Sequence, residues 1–155
     1  MTFVIIDLEA RAVTETVTRV SANELSIGSA LPELRKDAIN KLQLVKYAGA
    51  SGDYNLIHTD DETARRVGLD GVIAHGMLSM AFLGQYLCWL TGPESIHRLS
   101  VRFVEMVRPG DVLTCRGRVK ALQQDATGQR MTLELWAENQ RAQQVTVGEA
   151  EVVTS

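Results

Sequence analysis

The spacing of hydrophobic residues changes from helical to alternating near residue 92. From His75 to Trp89 apolar residues lie on most sides of a helix, which predicts a long helix surrounded by protein and ended by Gly92-Pro93. Beyond it, apolar and polar residues alternate in four segments: 98–103, 113–121, 131–137 and, less regularly, 144–153. Four strands with one apolar face and short turns predict an antiparallel meander that covers the helix. The predicted fold class is α+β, with an antiparallel sheet on a long helix.

A short helix is predicted before the long one. Asn40 can cap it, and apolar residues recur at helical spacing up to Ala48. Gly49 and the Ser51-Gly52 pair are expected to break it.

A second short helix is predicted over residues 60–67, with Thr59 or Asp60 as its cap and Gly68 as its end. Residues 31–39 are expected to be extended, with a proline near their start. Residues 1–25 form an N-terminal extension that the pattern leaves open, because residues 13–20 fit a strand or the turns of a helix.

Composition narrows the class of protein. A chain of 155 residues, 45% hydrophobic and 23% charged, fits one soluble domain spanning residues 1–155. Its net charge is −3 and its 16 lysines and arginines are scattered, so no nucleic-acid partner is expected. Cys88 and Cys115 lack metal or disulfide spacing and have apolar neighbours, which predicts that both fill buried space.

The N-terminus has no basic lead, and acidic residues stand at positions 7 and 9, so a signal peptide is not expected. The longest apolar stretch, residues 77–90, is too short to span a bilayer. We therefore expect a cytoplasmic protein without a membrane partner.

Candidate chemistry is concentrated in residues 47–60 and at the start of the long helix. Asp53 and His58 supply an acid and a base, and Asn55 carries a donor and an acceptor that can orient either of them. An offset of five residues suits neither a helix nor one face of a strand, so the pair would converge only on an irregular loop. Gly76 begins the long helix, where a free amide without a neighbouring Cβ can stabilise an oxyanion. Together these groups suit addition or removal of water beside a thioester carbonyl.

Simpler interpretations exist for each residue. A Gly-Asp-x-Asn sequence is usually only a turn, and His75 can cap its helix or pack structurally rather than transfer protons. Asp53, His58 and His75 could be metal ligands, but their spacing resembles no compact ligand pair, and no metal is expected. Ser51 and Ser79 lack a nucleophile elbow, which argues against an acyl-enzyme.

The two clusters resemble the MaoC-like dehydratases and R-specific enoyl-CoA hydratases. That family's motif is Gly-Asp-x-Asn-Pro-x-His, and residues 52–58 match it except for Leu56 in place of proline. Residues 74–78, Ala-His-Gly-Met-Leu, resemble the start of the family's central helix. Residues 101–103 and 107–111 resemble its third landmark, so the resemblance covers about residues 26–153.

The resemblance implies a single hot-dog fold that dimerises edge to edge, as a homodimer or as a heterodimer with a related subunit. It implies Asp53 and His58 as the catalytic pair and the Gly76 amide as the oxyanion donor. Some family members carry a serine eight residues after the helix glycine, where this chain has Gly84. The residues expected to line an acyl tunnel are Met77, Met80 and Ala81.

The predicted activity is that of a hydro-lyase without a cofactor. It would interconvert (R)-3-hydroxyacyl and trans-2-enoyl thioesters of coenzyme A or acyl carrier protein. The alternatives are an acyl-CoA thioesterase and a non-catalytic acyl-thioester-binding subunit of a heterodimeric dehydratase. The intact Asp and His weigh against the binding subunit, because pure binding needs no proton-transfer pair.

Overall fold

A computed structural model of the protein describes residues 25–125 and 128–154. The helices and strands are β1 (Leu34–Arg35), α1 (Lys41–Ser51), α2 (Asp61–Arg66), α3 (Gly76–Thr91), β2 (Ile96–Phe103), β3 (Thr114–Asp125), β4 (Gly128–Glu138) and β5 (Gln144–Thr154). Two 3₁₀ turns, Leu56–His58 and Pro93–Ser95, join them. Of the N-terminal extension, residues 1–24 lie outside the described residues, and so do residues 126–127 and 155.

The long helix α3 runs through the centre of the fold, as predicted. Its buried residues are Leu78, Ser79, Phe82, Leu83, Tyr86, Leu87, Leu90 and Thr91. It continues two residues past the predicted end and stops at Gly92, whose φ of 87° only glycine adopts readily. No described helix is long and apolar enough to cross a membrane.

The described residues leave one side of α3 uncovered, so within them the expectation of a helix surrounded by protein is only partly met. The residues on this open stripe are Met77, Ala81, Gly84, Gln85 and Cys88, which are exposed or half-buried. The prediction that Cys88 is buried is therefore wrong, because it falls on the stripe that the sheet does not reach. Cys115 is fully buried, as predicted.

The sheet has five strands in the order β1-β3-β4-β5-β2, all antiparallel. Strands β3, β4 and β5 form a meander, but the prediction that β2 continues it is wrong. β2 pairs with β5, from Ile96 opposite Val152 to Phe103 opposite Thr146. Alternation specifies which face of a strand is buried, not which neighbour it takes. Residues 104–113 carry the chain from one side of the sheet to the other.

The apolar face of the sheet packs on α3, which is the hot-dog arrangement. Fully buried residues of β3, β4 and β5 form this face, among them Cys115, Val119, Leu133, Leu135, Ala150 and Val152. The edge strand β2 is less covered: Leu99 and Val101 are half-buried, and Phe103 is 46% exposed. Of residues 31–39, which were predicted to be extended, Leu34–Arg35 form a strand.

The two short helices begin at capping side chains. Asn40 Oδ1 accepts a hydrogen bond from the Gln43 amide at 2.9 Å, as predicted. Gly49 does not end α1, because a glycine without a positive φ only weakens a helix; the end comes at Gly52, where φ is 76°. Asp60 caps α2 by accepting from the Thr63 amide at 2.7 Å.

Candidate active site

The loop after α1 holds three of the predicted site residues. The Asn55 amide donates to Asp53 Oδ1 at 3.2 Å, and Asn55 Oδ1 accepts from the Ile57 amide at 3.2 Å. Asn55 thus restrains the Asp53 carboxylate through its backbone and caps the 3₁₀ turn that ends at His58 through its side chain. The irregular segment that the five-residue offset required is therefore this capped turn.

Leu56 stands where the family motif has proline, at the first position of the 3₁₀ turn. A first helical position needs no amide donor, so proline is tolerated there but not required. Because Asn55 caps the turn, the leucine leaves the local geometry intact.

His58 is fixed by a main-chain oxygen. Its Nδ1 lies 2.8 Å from the Ile73 carbonyl oxygen, and its side chain is only 9% exposed. A carbonyl oxygen only accepts, so Nδ1 is the donor and the neutral ring has its lone pair on Nε2. The Ile73 amide donates in turn to Ile57 at 3.1 Å, which ties the loop before α3 to the turn that carries His58.

Asp53 and His58 lie close enough for a single water beside them to hydrogen-bond to both. Asp53 Oδ2 is 3.9 Å from His58 Nε2, too far for a hydrogen bond. A carboxylate oxygen and an imidazole lone pair are both acceptors, so a water beside them donates one hydrogen to each. Its oxygen lone pairs then point away from both groups. The side chain of Asp53 is 53% exposed, so the gap is open to solvent and to a ligand.

Gly76 begins α3 beside this pair. Among the described residues, no acceptor pairs with the amides of Gly76 and Met77, as expected for the first turn of a helix. Gly76 is exposed, while His75 before it is buried. A Cβ at Gly76 would lie 3.0 Å from the Phe103 ring, so a side chain here would crowd the end of β2 and the approach to the amide.

His75 joins the other site residues. Its ring stacks on His58 with centroids 3.9 Å apart and 26° between the planes, and its Nε2 lies 3.1 Å from the Asp53 carbonyl oxygen. His75 occupies the cap position of α3 but makes no side-chain capping bond, so the capping role predicted as one possibility is not seen. The sequence carried no indication of its contact with His58.

One ligand atom each of Asp53, His58 and His75 lies within 4.8 Å of the others. A metal bound by both histidines would need their in-plane lone pairs to converge at about 2.0–2.1 Å. Stacked rings direct those lone pairs along nearly parallel planes. The arrangement therefore suits proton transfer better than metal binding.

Asp61 holds the loop that carries Ile73. Its Oδ1 accepts from the Val72 amide at 3.0 Å, and its Oδ2 pairs with the Lys41 ammonium. The hydrogen bond from Lys41, followed by that from Val72, lowers the pKa of Asp61 below its ordinary value. This carboxylate thus connects the starts of α1 and α2 with the segment that positions His58.

The fold and this site define a class of protein. A family model described as a MaoC like domain matches residues 21–153. The chain belongs to the MaoC-like family, as its motifs predicted.

Particular relatives are hydratases and a fatty acid synthase. The structure of an unliganded R-hydratase from Pseudomonas aeruginosa is 32% identical, covers 85% of this chain and 83% of its own, and has a TM-score of 0.74. The (R)-specific enoyl-CoA hydratase of Rhodospirillum rubrum is 35% identical over 86 residues, which are 54% of this chain and 60% of that protein. The fatty acid synthase subunit beta of Aspergillus oryzae is 39% identical over 110 residues, which are 68% of this chain and 5% of that protein. This chain therefore spans less than two thirds of either of these two curated relatives.

Proposed function

We propose that this protein is a hydro-lyase that interconverts (R)-3-hydroxyacyl thioesters and trans-2-enoyl thioesters by removing or adding water. The observation that carries the proposal is the gap of 3.9 Å between Asp53 Oδ2 and His58 Nε2, with the other nitrogen of His58 already donating to a carbonyl. Similarity to an (R)-specific enoyl-CoA hydratase supports the same reaction. Asp53 and His58 are the catalytic residues.

In the hydration direction, the water donates its hydrogens to Asp53 and His58, and its oxygen attacks the β-carbon of the enoyl thioester. One of the two side chains takes the proton that the water loses as the C–O bond forms. A proton is then delivered to the α-carbon, so the elements of one water add across the double bond. General acid–base assistance of this kind contributes about 10²–10⁴-fold for each group.

The thioester oxygen gains negative charge while the α-carbon awaits its proton. The Gly76 amide, at the positive end of the α3 dipole, is the donor for that oxygen. Met77, Met80 and Ala81 follow on α3, where Met77 is exposed and the other two are half-buried. We assign these three residues to the surface that takes the acyl chain.

The test follows the enoyl chromophore and the free thiol together in one reaction with crotonyl-CoA. Hydration consumes the enoyl absorbance without releasing thiol, and this is the expected result. Thiol release that matches the fall in absorbance would favour a thioesterase, because hydrolysis also breaks the conjugated thioester, and neither change would favour a binding subunit. A panel of enoyl-CoAs of increasing length, repeated with carrier-protein thioesters, then identifies the carrier and the chain length.

Two substitutions test the residues. Asp53→Asn and His58→Ala should each lower kcat by about 10²–10⁴-fold while the protein stays folded. Matched controls are Asp37→Asn and His97→Ala, because both of these side chains are exposed and lie outside the cluster. Wild-type turnover in either site variant would defeat the assignment.

We also propose that the protein acts as a dimer joined through β2. This strand pairs only with β5 among the described strands, so its other edge is open, and nearby Phe103, Val104 and Met106 are exposed. An open edge strand is a ready site for pairing with a second sheet. Sedimentation velocity should give twice the mass of one chain. A monomer that dimerises only with a related subunit would favour the heterodimer instead.

A further inference from the structure

His75 is one of the most buried polar residues of the protein, at 2% exposure, yet the proposed reaction gives it no proton to move. Its Nδ1 is buried and has no hydrogen-bond partner among the described residues. A buried polar atom without a partner costs free energy, about 1–3 kcal/mol for a typical group. A phenylalanine or leucine would fill the same space without that cost, so stability alone does not explain a histidine here.

The hydrogen bond and the ring stacking of His75 both involve the catalytic pair. A carbonyl oxygen only accepts, so the contact of 3.1 Å with Asp53 makes Nε2 of His75 the protonated nitrogen, which donates to the Asp53 main chain. Its ring covers one face of the His58 ring at 3.9 Å, and Tyr47 packs against it at 5.0 Å and 55°.

Asp53 needs such a restraint. It lies between the end of α1 and the 3₁₀ turn, outside regular structure, and its side chain is half exposed. The hydrogen bond from Asn55 restrains its carboxylate, and the contact with His75 restrains its carbonyl group. Two catalytic groups that must bind the same water tolerate little displacement. A shift of about 1 Å in the position of either group can lower the rate by about 10²-fold.

We propose that His75 is a positioning residue of this active site, one that sets the distance between Asp53 and His58 without touching substrate. Its Nε2–H holds the Asp53 main chain, its ring supports the His58 ring, and its own backbone leads directly into the Gly76 amide. The inference rests on the proposed hydratase function, because it concerns the geometry of that catalytic pair.

Two substitutions separate the contacts. His75→Phe keeps an aromatic ring against His58 but has no donor for the Asp53 carbonyl, and it also removes the unpartnered nitrogen. His75→Gln keeps an N–H that can reach the carbonyl but loses the stacked ring. The matched controls are the same substitutions at His97, an exposed histidine on β2.

We expect His75→Phe to lower kcat by about 10²-fold and His75→Gln by about tenfold, with KM changed by less than about threefold. The melting temperature of His75→Phe should change little, because removal of the buried unpartnered nitrogen offsets the loss of the hydrogen bond to the Asp53 carbonyl. In an Asp53→Asn background, His75→Phe should lower the remaining rate by less than about threefold, because its effect passes through a group that is already lost.

A purely structural role would reverse this pattern: melting temperature and KM would change, and the losses would multiply in the double variant. That result, or wild-type kcat in both His75 variants, overturns the inference. If His75→Phe does not fold, His75→Gln decides by the same readouts. Failure of the proposed function is distinct, because it shows as wild-type protein without enoyl turnover or as full activity in Asp53→Asn.

Discussion

Gly148 on β5 is the position where a single methyl group should do most harm to the sheet. It lies opposite Val101 of β2 and Leu135 of β4, in the middle of both ladders. A Cβ there would overlap the Ser100 carbonyl oxygen and lie 2.9 Å from Val101 Cγ1 and 3.2 Å from Val101 Cα. Two of these three atoms belong to the main chain of β2, so no side-chain rotation relieves the contact.

The size of the effect follows from these distances. Carbon atoms in ordinary contact are about 3.5–4.0 Å apart, so the contact of 3.2 Å with Val101 Cα alone requires β2 to move by at least about 0.3 Å from β5, and the overlap with the Ser100 carbonyl oxygen requires more. Overpacking of this kind costs about 1–3 kcal/mol, and the rigid main chain places Gly148→Ala near the upper end. The alanine also adds about 0.4–1 kcal/mol to the free energy of unfolding, because it reduces the entropy of the unfolded chain. The free energy of unfolding should therefore fall by about 2 kcal/mol, or about 4–8 °C in melting temperature.

Urea unfolding at one fixed protein concentration measures this change, because the stability of an oligomer depends on concentration. The matched control is Gly49→Ala in α1, where a Cβ meets no atom within 4 Å. That variant should be more stable by about 0.5–1 kcal/mol, since the glycine sits in a helix. Equal or greater stability of Gly148→Ala would refute the close approach of β2 and β5.

The other predictions concern the site and the titratable groups. Gly76→Ala should lower kcat by about 10²–10³-fold, because the methyl group obstructs the amide; unchanged enoyl turnover would remove Gly76 from the oxyanion site. The hydrogen bond from Lys41 lowers the folded-state pKa of Asp61 below 3.8, so Asp61 stabilises the fold above its unfolded pKa and loses this effect as pH falls through the lower folded value. Urea midpoints between neutral pH and about pH 3 should therefore fall less steeply in Asp61→Asn than in the wild type. A maleimide should label Cys88 and not Cys115 in the folded protein, because Cys88 is exposed while burial raises the pKa of Cys115 to about 12. Mass spectrometry of the peptides measures the labelling, and modification of both cysteines would contradict the prediction.

The elements that sequence predicted well are those fixed by local chemistry. The end of α3 follows from Gly92, and the cap of α1 from Asn40, because a glycine with positive φ and a capping side chain both act within one turn. Alternation likewise placed β3 and β4 with their apolar faces inward. The predicted place of β2 in the sheet was wrong, because the strand that β2 pairs with depends on how residues 104–113 cross the fold. No local pattern encodes that crossing.

The candidate site divides in the same way. Asp53, Asn55 and His58 were predictable because their motif lies in one short segment. The Ile73 carbonyl and the His75 ring were not, since they come from 15 and 17 positions after His58 and reach it only in the folded loop. Every residue has a main-chain carbonyl, so the sequence does not show which one binds His58. The sequence does show a histidine beside the helix glycine, but it does not show what that histidine contacts.

Residues 107–111, the second part of the third landmark, show how a motif can support a site without contributing a reacting group. The Val107 carbonyl oxygen accepts a hydrogen bond from the Ala74 amide at 2.7 Å. Ala74 stands between Ile73, whose carbonyl binds His58, and His75. Asp111 is buried, with 6% exposure. It holds this segment by accepting hydrogen bonds from the Arg108 amide at 2.8 Å and from the Gln140 side chain at 3.0 Å. The crossing between β2 and β3 thereby fixes the loop that orients the imidazole. The segment that carries the chain from β2 to β3 is therefore also the segment on which the active-site loop rests.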